Sequence, residues 1–117
     1  MPNQPSVTAR LSVLLFIVVA SMVVPSAEAQ TPPGFSKTFA PNTVGPGGTS
    51  RLTFEIDNAS GTVISQLAFT DNLPAGLTLA DGANPISTCG GTLTAPDGGS
   101  TISLTDGAVS ANQTCTI

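Results

Sequence analysis

Apolar and polar residues alternate along most of the chain after residue 34, and this two-residue period is the feature that most restricts its fold. Leu52, Phe54 and Ile56 alternate with charged or hydroxyl residues, so an extended segment would have one apolar side and one polar side. After residue 34, no window shows apolar residues at helical spacing without an intervening Gly or Pro, so no helix of normal length is expected there. The alternation predicts about seven short strands, near residues 35–39, 51–57, 67–69, 77–79, 93, 102–104 and 115–117.

Turn-forming residues separate these segments at regular intervals. Gly, Pro, Asp and Asn cluster near positions 46–48, 57–61, 71–76, 81–82, 90–91, 96–99 and 106–107, and these residues favour tight reversals of the chain. The clearest hairpin joins Leu93 to Ile102 and Leu104 through the loop PDGGS. Many short strands with regularly spaced turns predict an all-β fold, a small antiparallel sandwich.

The first 29 residues have the order of a secretory signal peptide. Arg10 precedes an apolar run at 11–24, and small residues Ala27 and Ala29 precede Gln30, which predicts cleavage between Ala29 and Gln30. A retained membrane anchor is the alternative, but a 14-residue helix rises only about 21 Å against a hydrocarbon core of about 30 Å. We therefore expect a secreted or cell-surface protein with no membrane span after cleavage. Its expected parts are a signal peptide at 1–29, a flexible arm at 30–34 and a domain at 35–117.

Composition argues against several classes of function. The formal net charge is −4, and His, Trp and Tyr are absent. The chain therefore has no basic stripe for nucleic acid, no His for proton transfer and few aromatic platforms for stacking bases or sugars. We expect no nucleic-acid partner and no cofactor.

Cys89 and Cys115 are the only cysteines. An even count in an exported domain predicts that they form a disulfide, and closing that loop would contribute about 3.5 kcal/mol on the chain-entropy model. Two free or intermolecular thiols are the alternative.

Several longer segments resemble a known kind of module. The segments are FSKTFAPNTVGPGGTSRLTFEIDN, LAFTDNLPAGL, STCGGTLTAPDGGSTISL and the final TCTI. They are similar to the domain-of-unknown-function repeats of bacterial surface and secreted proteins that are related to the family numbered eleven. The resemblance covers nearly all of residues 30–117 and implies an immunoglobulin-like or prealbumin-like sandwich, one of several modules in a long surface protein. The alternating pattern also stops inside TCTI, so we expect a truncated last strand and a natural product that continues beyond Ile117.

Acidic and amide side chains offer two candidate sites. Glu55 and Asp57 would lie about 6.6 Å apart on one strand face, a spacing that suits a carboxylate pair in glycoside hydrolysis. Since Arg51 and Thr53 share that face, a solvated surface is the favoured interpretation. Oxygen ligands for calcium would come from turns, from Asp57, Asn58, Asp71, Asn72, Asp81, Asp97 and Asp106. Such residues usually bond their own backbone, so no metal site is expected.

Two further patterns suggest a functional role but also have a simpler structural explanation. Asn58-Ala59-Ser60 and Asn112-Gln113-Thr114 match the glycosylation sequon, but we interpret them as turn residues. Ser and Thr hydroxyls are plentiful, but a nucleophilic hydroxyl needs a base to activate it. Lys37 is the only possible amine base, so no Ser or Thr has an evident activator.

Three hypotheses of function follow from the sequence. The first is a non-catalytic structural or spacer module of a secreted or surface protein. The second is an adhesive module that binds a protein or polysaccharide through loops or an exposed sheet edge. The third, a hydrolase, is the least favoured because the chain lacks His and the carboxylate pair is poorly placed.

Overall fold

The alternating segments form six strands in the part of the chain that the computed structural model describes, residues 30–117. The strands are β1 Gly34–Ala40, β2 Arg51–Asn58, β3 Ile64–Asn72, β4 Thr92–Thr94, β5 Thr101–Val109 and β6 Gln113–Thr116. No helix occurs within this part, and the search of the same residues found no helix that could cross a membrane. The all-β prediction is confirmed.

The strands form two three-stranded antiparallel sheets. The first has the order β1-β2-β6 and the second has the order β3-β5-β4. On β2, Phe54, Ile56 and Asn58 are buried, whereas Arg51, Glu55 and Asp57 are exposed. The two-residue period therefore separates a core face from a solvent face, as the sequence predicts.

The inner faces of the two sheets share one core. Ile56 and Cys115 of the first sheet pack with Leu104 and Val109 of the second sheet. Three phenylalanine rings fill the neighbouring region, with Phe54 and Phe69 centroids 5.0 Å apart and Phe35 within 5.8 Å of both. This face-to-face packing makes the domain a small β-sandwich.

Irregular residues in β3 and β5 interrupt the ladder between these strands. Gln66 and Asp106 have positive φ angles of 58° and 54°, and the pairing register shifts on each side of Leu67. An extra residue on one strand is followed by an extra residue on the other, so the register is restored at Phe69. Paired bulges of this kind increase the local twist of a sheet.

The strand expected at residues 77–79 does not form. The amide of Leu77 donates to the carbonyl of Pro74 in a turn, and Leu79 exchanges hydrogen bonds with the loop residues Gly98 and Gly99. Gly76, with a φ angle of 90°, belongs to the turn before this segment, where glycine is favoured. The alternation at Leu77 and Leu79 therefore belongs to an extended loop that is fixed at one point, and the described sandwich has six strands instead of about seven.

Candidate functional site

The disulfide joins the two cysteines as the sequence predicts. The Sγ atoms of Cys89 and Cys115 lie 2.00 Å apart, and both residues are almost completely buried. The carbonyl of Cys89 also accepts a hydrogen bond from Ala108 in β5, and the preceding Thr88 donates its amide to Thr116 in β6. The loop before β4 is thus tied covalently to one sheet and by hydrogen bonds to both.

An ion pair joins the opposite side of the sandwich. Lys37 Nζ on β1 donates to both carboxylate oxygens of Asp71 on β3, at 2.9 and 2.7 Å. The ammonium group also lies 5.5 Å from the ring centre of Phe39 and 5.8 Å from that of Phe54. Because β1 and β3 are the edge strands of different sheets, this pair closes that edge of the core. The Lys37 ammonium group thus contacts a carboxylate and two aromatic rings. None of these contacts is with a Ser or Thr hydroxyl that Lys37 could activate.

A broad cleft opens between the sheets at one end of the sandwich. Its volume is about 1290 Å³, and it lies between the start of β2, the loop after β1 and the loop that follows β3. The large apolar side chains in its lining are Phe39, Val44, Leu52, Phe54, Leu73, Leu77, Leu79, Ile86, Leu93, Ile102 and Ile117. Val44, Leu77 and Ile86 are among the exposed large hydrophobic residues of the domain, and Ile86 is 76% exposed. The cleft is therefore a broad concave feature with several exposed apolar side chains at its border.

One backbone edge runs along this cleft. β6 pairs with β2 only from Asn58 to Glu55, and Ile117 extends the pairing by exchanging two hydrogen bonds with Phe54. The first three residues of β2, Arg51 to Thr53, pair with β1 and line the cleft.

A comparison with protein families gives the clearest relationship. The model of the family described as Domain of unknown function (DUF7933) matches residues 33–117. The chain belongs to this family. Neither the curated proteins nor the solved structures contain a match to it.

The DUF7933 domain holds Asn58 in its core, a role that the sequence did not predict. Asn58 is completely buried, and its Nδ2 group lies 2.8–3.2 Å from the carbonyl oxygens of Thr62, Val109 and Ser110. Its Oδ1 accepts from the amide and the hydroxyl of Ser60. One side chain thus joins the turn after β2 to the end of β5. The alternation of β2 places position 58 on the inner face and could have indicated its burial.

The glycosylation sequons lie in different environments of this DUF7933 domain. Asn58 uses its side-chain amide in the buried network just described, so a glycan could not be attached there in the folded state. Asn112 is exposed in a turn and has a φ angle of 54°. The interpretation as turn residues fits Asn112, whereas Asn58 is a core residue at the end of β2.

Several of the calcium candidates bond to neighbouring protein groups instead of meeting at one point. Asp57 accepts from Thr114, Asn72 accepts from Thr101, and Asp97 accepts from the amide of Gly82. Asp71 pairs with Lys37. Within the described residues, no three Cys, Asp or Glu side chains lie close enough together to hold a metal ion.

The carboxylate pair on β2 has a solvated setting. Glu55 and Asp57 both lie on the exposed face, opposite Ser36 and Gly34 of β1. Asp57 receives one cross-strand hydrogen bond of 2.9 Å from the Thr114 hydroxyl. Neither Glu55 nor Asp57 lines the cleft.

The predicted cleavage site falls at the limit of the structure. Ala27 and Ala29 lie outside the described residues, and Gln30 is the first described residue. Gln30 donates its side-chain amide to the Thr62 hydroxyl at 2.9 Å, and β1 begins four residues later at Gly34.

Proposed function

We propose that this DUF7933 domain is a non-catalytic structural module of a secreted or cell-surface protein. The disulfide is the observation that carries the proposal, because it secures the loop before β4 in the core of a domain with few buried side chains. Structural disulfides persist in oxidising compartments and stabilise small exported domains. The signal-like leader and the resemblance to repeats of bacterial surface proteins support the same setting, with this domain as one of several modules.

The two sides of the sandwich are secured by different means. Lys37 and Asp71 form an ion pair between the edge strands β1 and β3, and the disulfide joins β6 to the loop before β4. Links at both sides resist separation of the sheets. A module with this construction is suited to survive proteases outside the cell.

Limited proteolysis tests the structural proposal. A loss of about 3.5 kcal/mol on removal of the disulfide corresponds to a rise of about 300-fold in the unfolded population. Cleavage that follows this population should accelerate by a similar factor when the protein is reduced and alkylated. A variant with Cys89→Ala and Cys115→Ala is the control, because reductant should leave its cleavage rate unchanged. Equal cleavage rates for the oxidised and reduced protein would contradict the proposal.

Export is tested separately. We expect the protein recovered outside the cell to begin at Gln30, which an intact mass measurement would establish. Recovery of a protein that still contains residues 1–29 would contradict a cleaved leader.

The cleft favours a second candidate, a module that binds a protein or polysaccharide. Its apolar lining lies beside exposed side chains such as Leu77 and Ile86. Exposed apolar concavities of this kind are common at binding sites. Substitution of Ile86 with Ser should leave stability nearly unchanged, since this side chain is 76% exposed, and should weaken adhesion if the cleft is used.

A further inference from the structure

Three of the four sheet edges in residues 30–117 have a feature that hinders pairing with another strand. β3 contains Gln66, which has a positive φ angle, and the pairing register shifts next to it. β4 has only three residues. The outer side of β6 is covered by the loop before β4, because the Thr88 amide donates to the Thr116 carbonyl and the Thr116 amide donates to the Thr88 hydroxyl. Bulges, short strands and covering loops prevent edge-to-edge association of sheets, and β1 has none of them, since its seven residues pair with β2 without a register shift.

The free edge of β1 presents the backbone groups of Phe35, Lys37 and Phe39. Phe54 exchanges hydrogen bonds with Ile117, so its amide and carbonyl point away from β1. Lys37 lies opposite Phe54, and this pair is therefore a non-hydrogen-bonded pair of the antiparallel ladder. The amide and carbonyl of Lys37 point away from β2, as do those of Phe35 and Phe39, two residues to either side. No described residue bonds to these groups.

A second copy of β1 matches this edge in a symmetric register. Antiparallel pairing centred on Lys37 would place Phe35 of each copy opposite Phe39 of the other, with two main-chain hydrogen bonds for each pair. Aromatic pairs across strands are favourable, and the Phe35 side chain is 54% exposed in the single domain. The same register would place the two Lys37 residues directly opposite each other.

Lys37 opposes this pairing in two ways. It is the only charged residue of β1 and lies at its centre, and like charges directly opposite each other destabilise a pair of strands. The added strand would also displace water from the ion pair with Asp71, whose side chains are 28% and 21% exposed. Removing water from charged groups carries a large penalty. A partly solvated ion pair contributes little to the stability of one domain, so its place at the centre of this edge matters more for association.

We propose that the free edge of β1 is a self-association surface for a second copy of this domain, and that the charge of Lys37 keeps this surface closed. With Lys37 in place the edge stays unpaired and the domain stays monomeric. Without the charge, Phe35 and Phe39 drive antiparallel pairing of the two β1 strands. The inference goes beyond both candidate functions, since it concerns only contacts between copies of the domain.

Sedimentation equilibrium of the exported protein over a concentration series tests the proposal. The wild type and the Lys37→Arg variant, which keeps the charge, should be monomeric. Lys37→Met removes the charge and keeps a long side chain beside Phe39 and Phe54. It should raise the association constant at least about 100-fold, because like charges brought together across an interface carry a penalty of this order. Lys37→Gln is a second neutral variant, which can still donate to Asp71, and it should associate as well.

Hydrogen exchange locates the contact. In the dimer of the Lys37→Met variant, the amides of Phe35, of position 37 and of Phe39 should become protected. The amides of Ser36 and Thr38 face β2 and should exchange slowly in the monomer and the dimer alike. This alternation along β1 is specific to pairing at its free edge.

Four results would overturn the inference. Protection of the Phe35, Lys37 and Phe39 amides in the wild type would show that the edge is already filled. Neutral variants that have dispersed amide spectra and remain monomeric would show that the charge does not prevent pairing. Equal association of Lys37→Arg and Lys37→Met would show that the shape of the side chain, and not its charge, controls association. A dimer of the neutral variants that leaves these three amides unprotected would place the contact on another surface.

Discussion

Replacement of Asn58 with Ala should be among the most damaging single changes in this domain. The side chain is fully buried and lies within hydrogen-bonding distance of three carbonyl oxygens, and it accepts two hydrogen bonds from Ser60. An amide has two hydrogens, so at least two carbonyl groups lose a donor in the variant. Each net hydrogen bond contributes about 1 kcal/mol, and a carbonyl left unpaired in a buried site costs about 1–3 kcal/mol.

These terms give an expected loss of about 3 kcal/mol in the free energy of unfolding. Small domains have a total of about 5–15 kcal/mol, and the corresponding fall in Tm is about 12–24 °C for a domain of this size. Asn58→Asp should cost at least as much, because a carboxylate oxygen would replace the donor that faces the Val109 and Ser110 carbonyls.

Urea unfolding followed by far-ultraviolet circular dichroism is the suitable assay, because the chain contains no Trp or Tyr for fluorescence. The matched control is Asn42→Ala, since Asn42 is exposed in the loop after β1, and exposed substitutions usually change stability by less than about 0.5 kcal/mol. A free energy of unfolding for Asn58→Ala within about 1 kcal/mol of that of the control would refute the role assigned to this network.

Three other changes test the remaining contacts. Reduction of the disulfide should lower the free energy of unfolding by about 3.5 kcal/mol, measured by urea unfolding with and without reductant. Gly91→Ala should destabilise the domain far more than Gly47→Ala, because a Cβ at Gly91 would collide with the backbone of β5. Gly47 has a similar φ angle but open space around it, so it is the matched control. Similar thermal midpoints for the two variants would contradict this prediction. Lys37→Ala should lower the free energy of unfolding by only about 1 kcal/mol, since the ion pair with Asp71 is partly solvated and such pairs contribute little. This loss should become smaller in high salt. A larger loss that does not depend on salt would show that Lys37 stabilises the domain by packing and not by its charge.

Some features of this protein follow from local sequence alone. Alternation at Leu52, Phe54 and Ile56 specifies which side of β2 is buried, because the side-chain period of a strand is two residues whatever lies around it. The pairing of Cys89 and Cys115 also follows, since no other cysteine is present.

Other features depend on how distant segments meet. Alternation at Leu77 and Leu79 satisfies the pattern of a strand, yet only one point of backbone pairing with the 98–99 loop is available there, so the segment remains a loop. Asn58 fits a turn, a sequon or a calcium ligand equally well until β5 brings the Val109 carbonyl to it. The cleft likewise forms only where the loop after β1, the start of β2 and the loop after β3 come together. Local periodicity thus determined which faces of the strands are buried. The register between strands decided which backbone groups have hydrogen-bond partners, because pairing in a sheet joins residues that are far apart in the chain.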